Sequence, residues 1–218
     1  MNRLILKYKY LVTAVIMLIF AWVIYTRLAH GWSNLIILAV AAVIVYLLLV
    51  PVFIFLWPRF TVTGFKRVIV KRGFSGGPIP VNTLFAEPRI SSASASTGSL
   101  MGVGTDDVLY IAGWLDLRKG PQVLHVPEMT GRYYSVQFTD PSKSSNFAYV
   151  GTRTTGSKAG DYLLSRPGWK GTVPNGMTQI SSPTNSMLVI GRVFVADESD
   201  QPAAFALAQQ IRLTPLNQ

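Results

Sequence analysis

Among the side chains of types that do acid–base chemistry, five are candidates for one site: Asp107, Asp116, His125, Tyr134 and Asp140. Brought together, they would supply a base, a group to orient it and a hydrogen-bond donor. Their spacing does not demand that meeting. Asp140-Pro141 and Thr105-Asp106-Asp107 are equally natural as turn and capping residues. His125, alone between Leu124 and Val126, suits a hydrogen-bonded strand position. The structural reading leads, so no catalytic residue is assigned and a non-enzymatic protein is expected.

Two glycine motifs look like chemistry and lack its context. Gly73-Phe74-Ser75-Gly76-Gly77 matches the G-x-S-x-G of a nucleophile elbow, but that turn needs a helix directly after it, and Pro78-Ile79-Pro80 forbids one. Residues 151–158 have the glycine spacing of a phosphate-binding loop. The lysine there follows the serine, however, instead of preceding it, and a glycine hairpin is the better account. Metal sites need clustered His, Asp or Glu. Only two histidines exist and cysteine is absent, which excludes thiolate ligands, cysteine nucleophiles and disulfides. No metal and no cofactor is expected.

Charge narrows the partners. The chain carries a formal +10, yet the cations after residue 58 are scattered along the sequence, singly or in adjacent pairs. A nucleic-acid binder would show a concentrated basic stripe with interleaved aromatics, so no nucleic acid is expected.

The elements that would position any site fall into two groups. Half of the chain is hydrophobic and only 14% is charged. Residues 10–26 and 31–58 are uncharged, 17 and 28 residues respectively. As helices they reach roughly 25 Å and roughly 42 Å, against a hydrocarbon core of about 30 Å. Two transmembrane helices are expected. Tyr8, Tyr10, Trp22, Trp32, Trp57 and Arg59 sit at the membrane interfaces, where amphipathic rings and cations prefer to lie. Pro51 is expected to kink the second helix and Pro58 to end it. Arg3, Lys7 and Lys9 precede the first span, and Arg59, Lys66, Arg67, Lys71 and Arg72 follow the second. Both termini are therefore expected on the cytoplasmic side, or its equivalent in an internal or virion membrane, with an extracytoplasmic domain as the runner-up.

After residue 60 the pattern changes to short apolar runs broken by Gly, Pro, Ser and Asn. Runs at 68–70, 108–111, 114–117, 123–126, 147–150 and 187–196 read as strands. In 133–139, Tyr134, Val136 and Phe138 face one way and Tyr133, Ser135, Gln137 and Thr139 the other. A helix is expected within 200–213, with Ala203, Leu207 and Ile211 on one side. The fold class is mainly β: two membrane helices, then a jelly-roll-like or immunoglobulin-like β-sandwich with a short C-terminal helix. The expected organisation is a basic tail (1–9), a membrane hairpin (10–58), a basic juxtamembrane segment with the first strand (59–76) and the sandwich (77–218).

An ordered series of segments then suggests a family. It runs Asp107-Val108-Leu109-Tyr110, Ala112-Gly113-Trp114-Leu115-Asp116-Leu117, Gly120-Pro121-Gln122-Val123-Leu124-His125-Val126-Pro127, Gly131-Arg132-Tyr133-Tyr134-Ser135-Val136-Gln137 and Ala148-Tyr149-Val150-Gly151-Thr152-Arg153-Thr154-Thr155-Gly156. Gly168-Trp169-Lys170-Gly171, Ser182-Pro183-Thr184 and Gly191-Arg192 follow. Over about 77–216 the sequence resembles the bacterial and viral family called domain of unknown function 1254. That resemblance implies a β-sandwich, and no agreed catalytic residues. In many relatives a second sandwich domain, designated 1214, comes next, so a separate 1214-like chain is an expected partner. Departures from the family pattern are the membrane hairpin in place of a secretory signal, and Gly104-Thr105-Asp106 ahead of Asp107 in place of Pro-Asn.

Together these readings point to a membrane-anchored, non-enzymatic structural or assembly subunit, such as one linking a membrane to a capsid. It would dock other protein subunits through exposed aromatics and arginines, which dominate interface energetics. Tyr133, Tyr149, Arg153 and Trp169 are the candidate anchors. The alternative is an enzyme, or a small-ligand or lipid binder, with a polar pocket among the five residues named first.

Overall fold

A computed structural model of the 218-residue chain describes residues 35–73, 77–90, 105–143 and 145–216, with single positions between 15 and 26. Those single positions are helical, but most of the expected first span, including Tyr10, lies outside the described residues, as do Tyr8, Trp32 and Ser75. The chain divides into two compact units, Met1–Trp57 and Pro58–Gln218.

The division falls inside helix α1, Leu35–Arg72. Among the described residues, one stretch is long and apolar enough to cross a membrane, the 32 residues Ala41–Arg72. Leu47, Leu48, Ile54 and Phe55 stand exposed along it, as do Trp22 and Trp57 at the expected interfaces.

Two expectations are corrected here. The helix runs on through Pro58, which was expected to end it, and Val68-Ile69-Val70 is helical, not a first strand. A proline deletes one i→i−4 bond locally, while helical turns on both sides propagate cooperatively. The β-branched run favours a strand only by propensity, and burial overrides it. Val62, Phe65 and Ile69 share one helical face and pack on a sheet, with Ile69 fully buried. Gly73 closes the helix with φ 66°, its N–H reaching the Ile69 carbonyl at 2.9 Å. A Cβ there would also run into the Gly77 carbonyl oxygen.

Among the described residues nine strands follow: β1 (Phe85–Ala86), β2 (Val108–Asp116), β3 (Gln122–Val126), β4 (Tyr134–Asp140), β5 (Ser145–Gly151), β6 (Gly160–Ser165), β7 (Thr178–Ser181), β8 (Ser186–Phe194) and β9 (Arg212–Pro215). They form two sheets, ordered β1-β2-β8-β4-β5 and β7-β6-β3-β9. All pairings are antiparallel except β6 with β7. The mainly β class, the two sheets and the short C-terminal helix α2 (Gln201–Gln210) accord with expectation. The helix buries Ala204 and Ala208, not Ala203.

The sheets enclose one core containing Leu109, Ile111, Leu124, Tyr134, Val136, Phe138, Leu164 and Val189. A second core lies on the outer face of the five-stranded sheet, where Val108, Tyr110, Trp114, Leu188 and Ile190 meet Ile69 and its neighbours. Strand β2 is therefore buried at all nine positions, because both of its faces are covered. Among the described residues, that outer cluster includes none from β4 or β5, and β4 alternates buried with half-buried.

Candidate functional site

The five polar candidates do not form one site: among the described residues, no hydrogen bond or ion pair joins any two of them. Asp107 is exposed at the entrance to β2. Asp116 ends β2, where the Arg118 guanidinium holds its carboxyl down at about 2. Tyr134 lies in the sandwich core and donates from its hydroxyl to the Gly156 carbonyl at 3.1 Å; burial raises its pKa. Asp140, 1% exposed, ends β4. Its Oδ1 accepts from the Ser142 N–H and hydroxyl and from the Thr184 hydroxyl, bracing two loops at that end of the sandwich.

His125 keeps different company from the carboxylates expected for it. Its Nδ1 lies 2.8 Å from Asp161 Oδ1 on β6, and its Nε2 lies 2.7 Å from Thr214 Oγ1 on β9. With the proton on Nδ1, the ring donates to Asp161 and accepts from Thr214. That is the acid–imidazole–hydroxyl order used to activate a nucleophile. Acyl transfer also needs a cavity and convergent oxyanion donors. Neither of the two cavities described below is lined by these residues. Here the relay serves as a strut across three strands.

The four anchor candidates fare differently. Tyr133, Tyr149 and Arg153 line one cleft of about 400 Å3 at the β4–β5 side of the five-stranded sheet, and Arg192 completes the wall. Trp169 does not join them. It sits half-buried in the β6–β7 loop with its ring over Gly171. The cleft follows from strand alternation: Ser135 pairs with Gly151 and with Arg192, so these three positions run side by side across β5, β4 and β8. Tyr133 and Tyr149 are 37% and 45% exposed, unusual for large rings inside a folded domain. The Arg153 guanidinium lies 5.5 Å from the Tyr133 ring centre, and that of Arg192 lies 5.6 Å from the Tyr110 ring centre. Among the described residues, neither arginine has a carboxylate partner. A second cavity, of about 440 Å3, opens between β1 and α2 and is lined mostly by apolar groups such as Leu84, Phe205 and Ile211.

Reading by residue type missed Arg192 and Tyr110. The signal for the first was a lone arginine inside an apolar strand, Val189-Ile190-Gly191-Arg192-Val193. The segments that carry the family resemblance supply Tyr110, Tyr133, Tyr149, Arg153 and Arg192 alike.

An ion pair steadies this wall. Arg132, next to Tyr133, donates to both Asp200 carboxylate oxygens at 2.6 and 2.5 Å, and also to the Phe194 carbonyl. The guanidinium holds the Asp200 carboxyl at about 2, below its ordinary 3.8, with help from the Ala196 N–H. A depressed carboxylate stabilises the fold above its unfolded pKa, and that contribution is lost as pH falls through the folded value. With Asp116 and Asp200 both held at about 2, urea-unfolding midpoints should change little from pH 7 to about 4 and then drop towards pH 2. Asp200→Asn should flatten part of that drop. A midpoint independent of pH in that window would contradict the clamp.

No curated protein matches this chain. Among solved structures, the VPA0106 protein from Vibrio parahaemolyticus is similar at 27% identity and a TM-score of 0.49, over 51% of this chain and 28% of that one. A putative uncharacterized protein from Burkholderia cenocepacia is similar at 12% identity and a TM-score of 0.36, over 54% and 32%. The chain thus spans about a third or less of the length of each of these two proteins. The model of the family described as "Protein of unknown function (DUF1254)" matches residues 88–215, more than half of the sequence, and the chain belongs to that family.

Proposed function

We propose that this protein is a membrane-anchored, non-enzymatic docking subunit. A two-span hairpin, 10–26 and 31–58, holds it in a bilayer with both termini on the cytoplasmic or equivalent side. Its sandwich engages other subunits of a larger assembly through the tyrosine–arginine cleft. The observation that carries this reading is the convergence of Tyr133, Tyr149, Arg153 and Arg192 on one open sheet face. Exposed aromatics beside arginines that have no carboxylate partner among the described residues are the composition of interface hot spots. The long apolar helix supports the anchor. A separate chain carrying the 1214 domain is the first partner to look for.

Purification of the full chain in mild detergent tests this. A second protein should co-purify in fixed ratio with the unaltered chain and be lost from Arg153→Gln and Arg192→Gln. A monodisperse lone chain carrying a bound metabolite would overturn the reading in favour of a small-ligand site, for which about 400 Å3 is room enough.

A further inference from the structure

Resting on the docking reading, we propose that the cleft's occupant is an extended, carboxylate-bearing peptide segment laid along strand β5. Two features point there together. The first is charge. Arg153 and Arg192 each stack on a tyrosine, which orients the planar guanidinium. Among the described residues no carboxylate pairs with either, and Arg192 Nη1 donates a long hydrogen bond, 3.5 Å, to the Gln137 amide oxygen, so both can take a carboxylate from outside. Arginine takes a carboxylate through two parallel hydrogen bonds, shorter and stronger than neutral ones. Arg132, one residue before Tyr133, already binds Asp200 in this way and is not available.

The second feature is the edge. Among the described residues β5 pairs with β4 alone and forms the edge of the five-stranded sheet. Tyr149 and Gly151 lie on β5 and also line the cleft. An extended peptide can add to such an edge through its main chain, with alternate side chains entering adjacent pockets. A free phosphate or a lipid headgroup could satisfy the arginines but could make no use of the edge. The two features together therefore favour a peptide. Its acidic residues fall at alternate positions, because side chains on one face of a strand recur every second residue. Tyr133 and Tyr149 supply the rigid contact area beside them.

The test is titration of the full chain in neutral-lipid nanodiscs with fluorescent peptides of roughly six residues, a typical strand length, alternating glutamate with valine. Glutamate→glutamine peptides and inorganic phosphate serve as comparisons. The glutamate peptide should bind at least about tenfold more tightly than its glutamine counterpart, a difference of about 1.4 kcal/mol. Arg153→Gln and Arg192→Gln should each remove most of that preference. Arg89→Gln, outside the cleft, should leave it unchanged. Equal binding of the two peptides would overturn the proposal. So would displacement of the peptide by millimolar phosphate together with phosphate binding as tight as the peptide's. The outcomes also separate this proposal from the reading beneath it. Peptide binding without any co-purifying chain would sink the docking role alone. A co-purifying chain that depends on both arginines but is not displaced by the glutamate peptide would sink the acidic-segment proposal alone.

Discussion

Trp114→Ala should lower the free energy of unfolding by about 3–5 kcal/mol, the range for deleting a large buried aromatic. The side chain is 1% exposed. It occupies the outer core of the five-stranded sheet with Ile69, Ile79, Tyr110, Leu188 and Ile190. Its Nε1 donates to the Ser186 hydroxyl at 2.7 Å, and Lys66 Nζ lies 5.6 Å from the ring centre. The mutation therefore removes packing, a hydrogen bond and a cation–π contact at once, from the place where Val62, Phe65 and Ile69 seal the sheet. Trp114→Phe retains most of the packing and should cost less, about 1–2 kcal/mol for the unmet hydroxyl and the smaller ring. Urea unfolding of the detergent-solubilised chain, followed by far-ultraviolet circular dichroism, measures both. A loss below about 1 kcal/mol for Trp114→Ala would mean that the outer face is not a core.

The same residue shows why parts of this fold could be read from sequence and others could not. Strand β4 alternates strictly because one of its faces is open, so Tyr134, Val136 and Phe138 announce their side. Strand β2 is covered on both faces and loses that signature. It reads as two apolar runs interrupted by Ala112-Gly113, though it is one strand. The cover comes from residues 62–70 of α1, and their β-branched content suggests a strand because propensity knows nothing of the sheet that buries them. Strands β1, β6, β7 and β9 are not legible, β1 being only two residues long. β7 and β9 are four residues each at the sheet's edges, while β6 begins at Gly160, straight after a glycine-containing turn. Residue type alone picked Tyr133, Tyr149 and Arg153, but their meeting depends on the β4–β5 register, which no spacing of 16 or 20 residues encodes. The polar five stay apart for the complementary reason. His125 points outward from the four-stranded sheet, Tyr134 inward, and Asp116 and Asp140 cap strand ends.

Gly151→Ala should abolish docking at the cleft while leaving the chain folded. A Cβ at this position would lie 2.6 Å from the Tyr134 carbonyl oxygen and 2.9 Å from Ser135 Cα. Both are backbone atoms of the neighbouring strand, so no side chain can swing aside. The Tyr134 carbonyl is held in place by the Thr152 N–H at 3.1 Å. Relief must then come from β5 moving away from β4, at about 1–3 kcal/mol, as for other overpacked sites. That movement is transmitted to the cleft. The Gly151 carbonyl accepts from the N–H groups of Thr154, Thr155 and Gly156, and its own N–H donates to the Thr155 hydroxyl at 3.1 Å. The turn that carries Arg153 thus hangs on this one residue, and with it the stacking on Tyr133. A shift of about 1 Å there is enough to break a bidentate arginine contact, whose hydrogen bonds weaken steeply with misalignment. Binding of the glutamate peptide should fall at least about tenfold more than the stability change alone would produce, since a fold still stable by several kcal/mol remains almost fully populated. Calorimetric titration beside urea unfolding of the same sample separates the two effects. Unchanged peptide affinity in a destabilised Gly151→Ala chain would show that the cleft does not depend on this close approach of strands.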